Sequence, residues 1–364
     1  MSTYIQLDYK IKLVRQHKVY DVLVIAPSRK TRGGITSVVK LLEQHKTWNY
    51  HGCYWLETHI DRNQLIKTWY FIKSFITFFF IIHKYQIVHI HFSEPPSAIR
   101  KFFFMYPSRL LNRKIILHFH SFSAETTINS IYKKLYKWMF DNADAVVVLS
   151  NYWKLQVSAI MKNPARLCII HNPAKLSCVD SPRRKIILFA GSLIPRKGYK
   201  DLLEAFSYVH RWHKDWHLIM AGNGDLLGGR QLADKLGISK HVSFPGWING
   251  EHKDELFRSA SIFCLPSYAE GFPMAVIDAM SFDIPVITTP VGGVLDIFSD
   301  NEDVLFIQPG AIKELAMKLD MLILYPDIGE KMVKSSRQKL FEKFDINIVA
   351  ARLNNLYGQL ANEC

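Results

Sequence analysis

Two acids eight positions apart, Glu270 and Asp278, bracket the stretch "EGFPMAVID". Glu270 stands in a loop just ahead of Gly271-Phe272-Pro273, and the apolar spacing predicts a helix over 273–282. Pro273 suits the first helical position, where its missing N–H costs nothing. Gly271 and Phe272 then offer backbone N–H groups beside a helix start. Asp278 falls about one and a half turns into that helix, at about 3.6 residues per turn. Carboxylates so placed accept hydrogen bonds from two sets of vicinal hydroxyls, a sugar at one and a ribose at the other. The plainer alternative makes Glu270 a capping acid and Asp278 an exposed helix residue.

A second stretch, "FAGSLIPRKGYKDLLEAF" (189–206), has complementary chemistry. Gly191-Ser192 ends a strand, Arg196 and Lys197 occupy the following turn, and Gly198 opens a helix. Two fixed cations beside a helix N-terminus suit a diphosphate, although an adjacent pair can also be only a solvated loop. Gly33-Gly34 marks another strand–loop–helix junction where backbone could approach a ligand. It is neither a P-loop nor G-x-G-x-x-G. His89 with His91, and His118 with His120, alternate along two strands, so each pair shares one sheet face. No Asp, Glu or Cys cluster completes a metal site, and buried, hydrogen-bonded imidazoles explain the pattern without one. His120 differs in standing at its strand's carboxyl end beside Ser121.

These residues need elements to hold them. Strands are expected at 20–26, 86–92, 114–120 and 144–150, with helices near 34–46, 63–83, 97–106 and 129–141. After a Pro/Ser-containing linker at 171–185 the alternation restarts, with strands at 186–192, 216–222, 241–246, 261–266, 285–289 and 303–308. Helices near 198–210, 250–259, 273–282 and 311–324 connect them. Such βα alternation implies parallel sheets covered on both faces, here two doubly wound domains and a cleft. Ligands of such sheets gather at the carboxyl ends of strands, where each candidate above lies.

The 364 residues, 49% of them hydrophobic, suffice for two domains. Five scattered cysteines without C-x-x-C argue for a reduced, cytoplasmic setting and against structural zinc. No signal peptide is visible in the first twenty residues. Residues 1–178 hold 25 Lys+Arg and 9 Asp+Glu (+16), and the rest hold 21 and 23 (−2), which together give the net +14. The first half should therefore face something anionic. Without an RNA-binding or helix-turn-helix pattern, a membrane surface is favoured and nucleic acid is not. The run "WYFIKSFITFFFII" (69–82) would extend roughly 21 Å as a helix, short of a hydrocarbon core of about 30 Å. With Lys67, Tyr70, Lys73, Ser74 and Thr77 as a polar stripe, it is expected to be mostly buried, or else to lie in a membrane interface.

With these residues in place, the chain resembles the retaining, GT-B-fold glycosyltransferases of family 4 (glycosyl transferases group 1). "RGGITSVV", "HFHSF", "VVVLSNYW", "IHNPA", "GSLIPRKG", "IMAGNGD", "VSFPGW" and "LPSYAEGFPMAVIDAMSFDIPVITTPVGG" occur in that family's order. The resemblance implies an acceptor-side domain over 1–178 and a donor-binding domain over 179–341, with a final helix at about 342–364 packing back on the first. It implies that Glu270 binds the donor sugar and that Asp278, where the family usually has Glu, holds the ribose. Gly271, Phe272, Pro273 and Met274 would serve sugar and diphosphate through their backbone. Arg196 and Lys197 would hold the diphosphate, leaning harder on that pair because Ser192 replaces a common Arg beside Gly191. His120 would orient the sugar, and Gly33-Gly34 would approach the phosphates. No cofactor or metal is implied. The partners would be a UDP- or GDP-sugar and a lipid-linked glycan at the inner membrane face, in bacterial surface polysaccharide synthesis. The rival expectations are an epimerase or hydrolase of the same fold, and a catalytically silent nucleotide-binding partner of an assembly complex.

Overall fold

In the computed structural model, which describes residues 20–177 and 182–362, the Val/Ile runs pair into two entirely parallel sheets. The signal-peptide reading, Cys178, Ser181 and Cys364 lie outside the described residues. The first sheet contains β1 (Val22–Ala26), β2 (Tyr54–Glu57), β3 (Ile87–Phe92), β4 (Lys114–Phe119), β5 (Ala145–Val148) and β6 (Leu167–Ile169). Its order is β2-β1-β3-β4-β5-β6. The second contains β7 (Ile186–Ala190), β8 (His217–Ala221), β9 (Val242–Gly246), β10 (Ile262–Leu265), β11 (Val286–Thr288) and β12 (Leu305–Phe306), in the order β12-β11-β10-β7-β8-β9. Helices cover both faces, so inner strands such as β1 and β3 are buried at every position.

Strand order places the chemistry. From β7 the chain winds outward through β8 and β9, then returns to β10 on the other side. The loops after β7 and β10 therefore part company at a switch point, where such sheets open a crevice. In the first sheet the loops after β1 and β3 do the same.

Several elements exceed what the sequence showed. β2 and β6 are only four and three residues long, too short for a readable alternation. Helix Leu226–Lys235 contains Gly228-Gly229, which obscures its periodicity. Helices Asn151–Ser158 and Pro326–Lys343 were also not foreseen. Helix Pro95–Leu110 runs through Pro107, with Ser108 Oγ donating to Phe104 O at 2.7 Å.

The aromatic run requires a correction. It belongs to helix Gln64–Ile81, extended by a 3-10 turn to Lys84, and only Ser74, Phe78 and, in the turn, Ile82 are buried. The 21-residue stretch Gln64–Lys84 is long and apolar enough to cross a membrane by length and composition. Phe71, Phe75 and Phe78 pack edge-on against Phe104 of the neighbouring helix. Trp69, Ile72, Ile76, Phe79 and Phe80 stay exposed. Ser74, expected in a polar stripe, is instead buried with its hydroxyl unpartnered.

Two segments cross side by side between the sheets, joined where Ala174 N donates to Phe344 O at 2.7 Å. Arg183, from the basic end of the linker, anchors the second domain. Its guanidinium donates to Phe257 O, Arg258 O, Ala260 O, Phe282 O and Asp283 O, carbonyls that two helix C-termini leave open. Helix Ile346–Asn362 lays Val349, Leu353, Tyr357 and Leu360 against the first sheet's core with Val22, Val24 and Ile116.

Candidate active site

Glu270 follows β10 and Arg196-Lys197 follow β7, so the switch point brings together residues 73 positions apart. Glu270 is 5% exposed. Its Oε1 accepts from Lys197 Nζ at 2.5 Å and Ser267 Oγ at 2.6 Å, and its Oε2 lies 3.8 Å from Arg196 Nη1. The carboxylate is thus no lone capping acid. It is fixed by one lysine, one hydroxyl and a more distant guanidinium. Arg196 donates to Ala269 O at 2.6 Å and lies 4.1 Å over the Phe122 ring, which comes from the first domain. The turn carrying both cations is tightly held: Gly198 has φ +65, and a Cβ there would lie 2.0 Å from Pro266 O.

Pro273 is the N-cap of helix Met274–Ser281, so the first helical residue is Met274, one later than expected. The Phe272 side chain turns into the core against His171 and Phe344, leaving only backbone for a ligand. Asp278 is paired, its Oδ2 accepting from Lys253 Nζ at 2.6 Å. Lys253, on helix Gly250–Ser259, is a site residue that no motif disclosed; any ribose contact by Asp278 shares its carboxylate with that ammonium. Ser192 is exposed at the end of β7, next to Gly191.

The facing wall comes from the first sheet. Gly33, the exposed N-cap of helix Gly34–Gln44, would meet nothing with an added Cβ, and Gly34 faces Met274. His118 pairs in register with His91, and the four rings of His89, His91, His118 and His120 stack 4.3–5.4 Å apart. His120 Nε2 lies 3.0 Å from His91 Nδ1, and His89 Nδ1 lies 2.8 Å from the Tyr357 hydroxyl. Burial pushes all four imidazoles down, His89 and His120 to about 3, so they are neutral near pH 7. Ring nitrogens of His89, His91 and His118 come within 4.8 Å of one another. A metal bound through His89 would displace that nitrogen's contact, with Tyr357 at Nδ1 or with His118 at Nε2.

Glu94, after β3, also escaped the sequence reading. Its Oε1 accepts from Ser121 Oγ at 3.0 Å and Phe122 N at 2.9 Å, which shapes the loop after His120. No motif marks it; its position at a strand's carboxyl end was the available signal. That loop meets Gly271 directly. A Cβ on Gly271 would lie 1.9 Å from Ser121 O, across the cleft. Gly271→Ala is therefore expected to hold the lobes apart. Transfer should fall roughly tenfold, because misplacing reacting groups by about 1 Å is expensive. Melting should change little, since each lobe's core is untouched; unchanged transfer would show that closure does not need this contact.

These loops converge on a cleft with fixed cations and a hydroxyl acceptor on one wall and a neutral imidazole on the other. A cavity of about 460 Å³ lies away from these loops, beside Arg230, Asp234 and Phe244 at the β9 edge, and another of about 360 Å³ borders Arg196 and Tyr268. The cleft itself is narrowed where the loops touch.

Comparison with known proteins agrees with this arrangement. The family model described as Glycosyl transferases group 1 matches residues 179–339, and that of Glycosyltransferase Family 4 matches 15–177. An uncharacterized glycosyltransferase of Haemophilus influenzae is 31% identical over 232 residues, covering 62% of this chain and 65% of its own. The capsular polysaccharide biosynthesis glycosyltransferase CapM of Staphylococcus aureus is 24% identical over 186 residues, covering 49% of this chain and 47% of its own. The match thus spans less than two thirds of either curated relative's length. Among solved structures, HepE of Anabaena, in complex with UDP and glucose, superposes with a TM-score of 0.74 at 15% identity. That superposition covers 93% of this chain and 99% of the HepE chain.

Proposed function

This chain belongs to the family 4, group 1 glycosyltransferases of GT-B fold, and from that premise we propose that it moves a sugar, with retention, from a nucleotide-diphosphate sugar to a hydroxyl of a lipid-linked glycan. The observation that carries the reading is the joining of Glu270, Lys197 and Arg196 at the second sheet's switch point. Glu270 would hold donor hydroxyls. Arg196 and Lys197, with the amides at the start of helix Met274–Ser281, would stabilise negative charge as the diphosphate departs. His120 would orient the sugar as a neutral hydrogen-bond partner. Attack would come from the leaving-group face, with a phosphate oxygen taking the acceptor's proton, so no metal and no covalent intermediate would be needed. Glu94 would act as a positioning residue, its Oε1 being engaged by the Ser121–Phe122 loop.

HepE's UDP and glucose support a UDP-sugar as the first donor to try, and CapM's name supports a surface polysaccharide as product. A thermal-shift screen of UDP- and GDP-sugars tests the donor, since a ligand at a hundred times its Kd adds about 2.7 kcal/mol. No shift with any nucleotide sugar, including those whose transfer is assayed, would overturn the reading.

The basic first half and the exposed Trp69, Ile76 and Phe80 support docking at the inner face of the cytoplasmic membrane. The protein should float with phosphatidylglycerol vesicles and detach as salt rises past a Debye length of about 8 Å. Trp69→Ser with Phe80→Ser should reduce flotation several-fold. Equal flotation with neutral and anionic vesicles would end the docking proposal.

A further inference from the structure

Helix Pro95–Leu110 buries a lysine completely. Lys101 is 0% exposed, and its Nζ donates to the Thr58 hydroxyl. Thr58 Oγ1 donates to Ala26 O at 3.0 Å and lies 3.3 Å from His59 Nδ1. His59 Nε2 lies 3.4 Å from Arg100 Nη2, and Arg100 Nε is buried without a partner. Because a guanidinium only donates, His59 must accept at Nε2 and carry its proton on Nδ1. Burial, with Lys101, Arg100 and Lys67 close by, pushes that imidazole down to about 2.

Among the described residues no carboxylate comes within ion-pair distance of Lys101 or Arg100; Asp61 pairs with Lys67 at 3.5 Å and acts on Arg100 only from farther off, where burial outweighs it. Burial and the neighbouring guanidinium push Lys101 well below the ordinary lysine range, so an ammonium buried beside the half-buried Arg100, with one hydroxyl and one imidazole for company, is unfavourable unless an anion completes it. Thr58 and His59 follow β2, and the helix follows β3, so the cluster lies at the carboxyl edge of the first sheet, on the acceptor side. The same helix exposes Ile99, Phe103 and Tyr106, and Phe103 packs on Phe71 and Phe75 of the aromatic helix. A basic cluster and an exposed apolar surface thus share one helix, with Arg100 next in sequence to Ile99.

We infer that Arg100 and Lys101, held in place by His59 and Thr58, form a second anion site, separate from the donor site, which takes the phosphoryl or diphosphoryl group linking an acceptor glycan to its lipid. The inference deepens the function proposed above and rests on it for the word acceptor. Arg100, the partly exposed member, makes the first contact, with Lys101 and His59 behind it. The lipid chain runs along the exposed apolar residues.

Farnesyl diphosphate, farnesol and inorganic pyrophosphate serve as probes, titrated calorimetrically into the full chain saturated with UDP so that the donor diphosphate site is occupied. Farnesyl diphosphate should bind saturably, and Arg100→Ala and Lys101→Met should each weaken it at least tenfold. Pyrophosphate should bind more weakly with the same dependence, and farnesol should be indifferent to both variants. An unchanged UDP melting shift in the variants shows that they are folded. Failure of wild-type protein to bind farnesyl diphosphate, or equal binding by both variants, overturns the inference. So does loss of flotation on phosphatidylglycerol vesicles in Arg100→Ala with farnesyl diphosphate binding intact, since the cluster would then be a headgroup contact. If UDP itself fails to bind wild type, the donor reading falls, and the anion site is judged by its own titration.

Discussion

Glu270→Gln should lower transfer at least a hundredfold, equivalent to about 2.7 kcal/mol of transition-state stabilisation. The carboxylate is 5% exposed and holds Lys197 Nζ at 2.5 Å, so the substitution removes two things together. It takes away the carboxylate proposed to hold donor hydroxyls, and it leaves an ammonium buried without its charged partner, a change that typically costs about 3–5 kcal/mol. The amide keeps the volume and can still accept from Ser267, which limits collapse of the loop. Lys197→Met should be similarly damaging, through loss of the cation proposed to meet the departing diphosphate. The double variant should be no worse than the poorer single one, because the two groups act as a unit. Initial rates with a nucleotide sugar, alongside melting curves, provide the check. Near-normal transfer in both folded single variants would remove this cluster from the chemistry.

Acid should unfold the protein from the first domain. His89, His91 and His118 are at most 1% exposed and are held well below the ordinary imidazole range by burial, His89 at about 3. In the unfolded chain each titrates near 6.5. Below that pH the unfolded state binds protons that the native state refuses, so stability is complete above about pH 6.5 and declines as pH falls toward about 3. From pH 7 to 5.5 the loss is roughly 1.2 kcal/mol per histidine and roughly 4 kcal/mol for the three, a large part of a typical total of about 5–15. Melting curves at constant ionic strength should show a steep fall in Tm across that interval. A flat profile between pH 7 and 5.5 would mean that the imidazoles are not kept neutral by the fold.

Much of the donor side was readable because strand ends are readable. Glu270, Arg196 and Lys197 each follow a Val/Ile-rich or otherwise apolar run, and doubly wound sheets present such positions to a crevice. Lys253 and Glu94 were not. Each is one charged residue among many in its segment, distinguished only by what lies opposite: Asp278 in one case, Ser121 and Phe122 in the other. The aromatic stretch shows the same limit. Its apolar content is identical whether it faces a core or the outside, and the neighbouring helix settles this by covering one stripe and leaving Trp69 and Phe80 bare.

Two parallel α/β halves, the acids and cations at their strand ends, and the family those motifs belong to are legible in the amino-acid order, since these depend on local periodicity and spacing along the chain. Packing is what clasps Glu270 with Lys197, stacks four histidines on one face and buries Lys101 beside Arg100. Those outcomes depend on strand order and on which helix covers which face. Electrostatic environment is set by neighbours distant in sequence, and neighbours are a property of the packed chain.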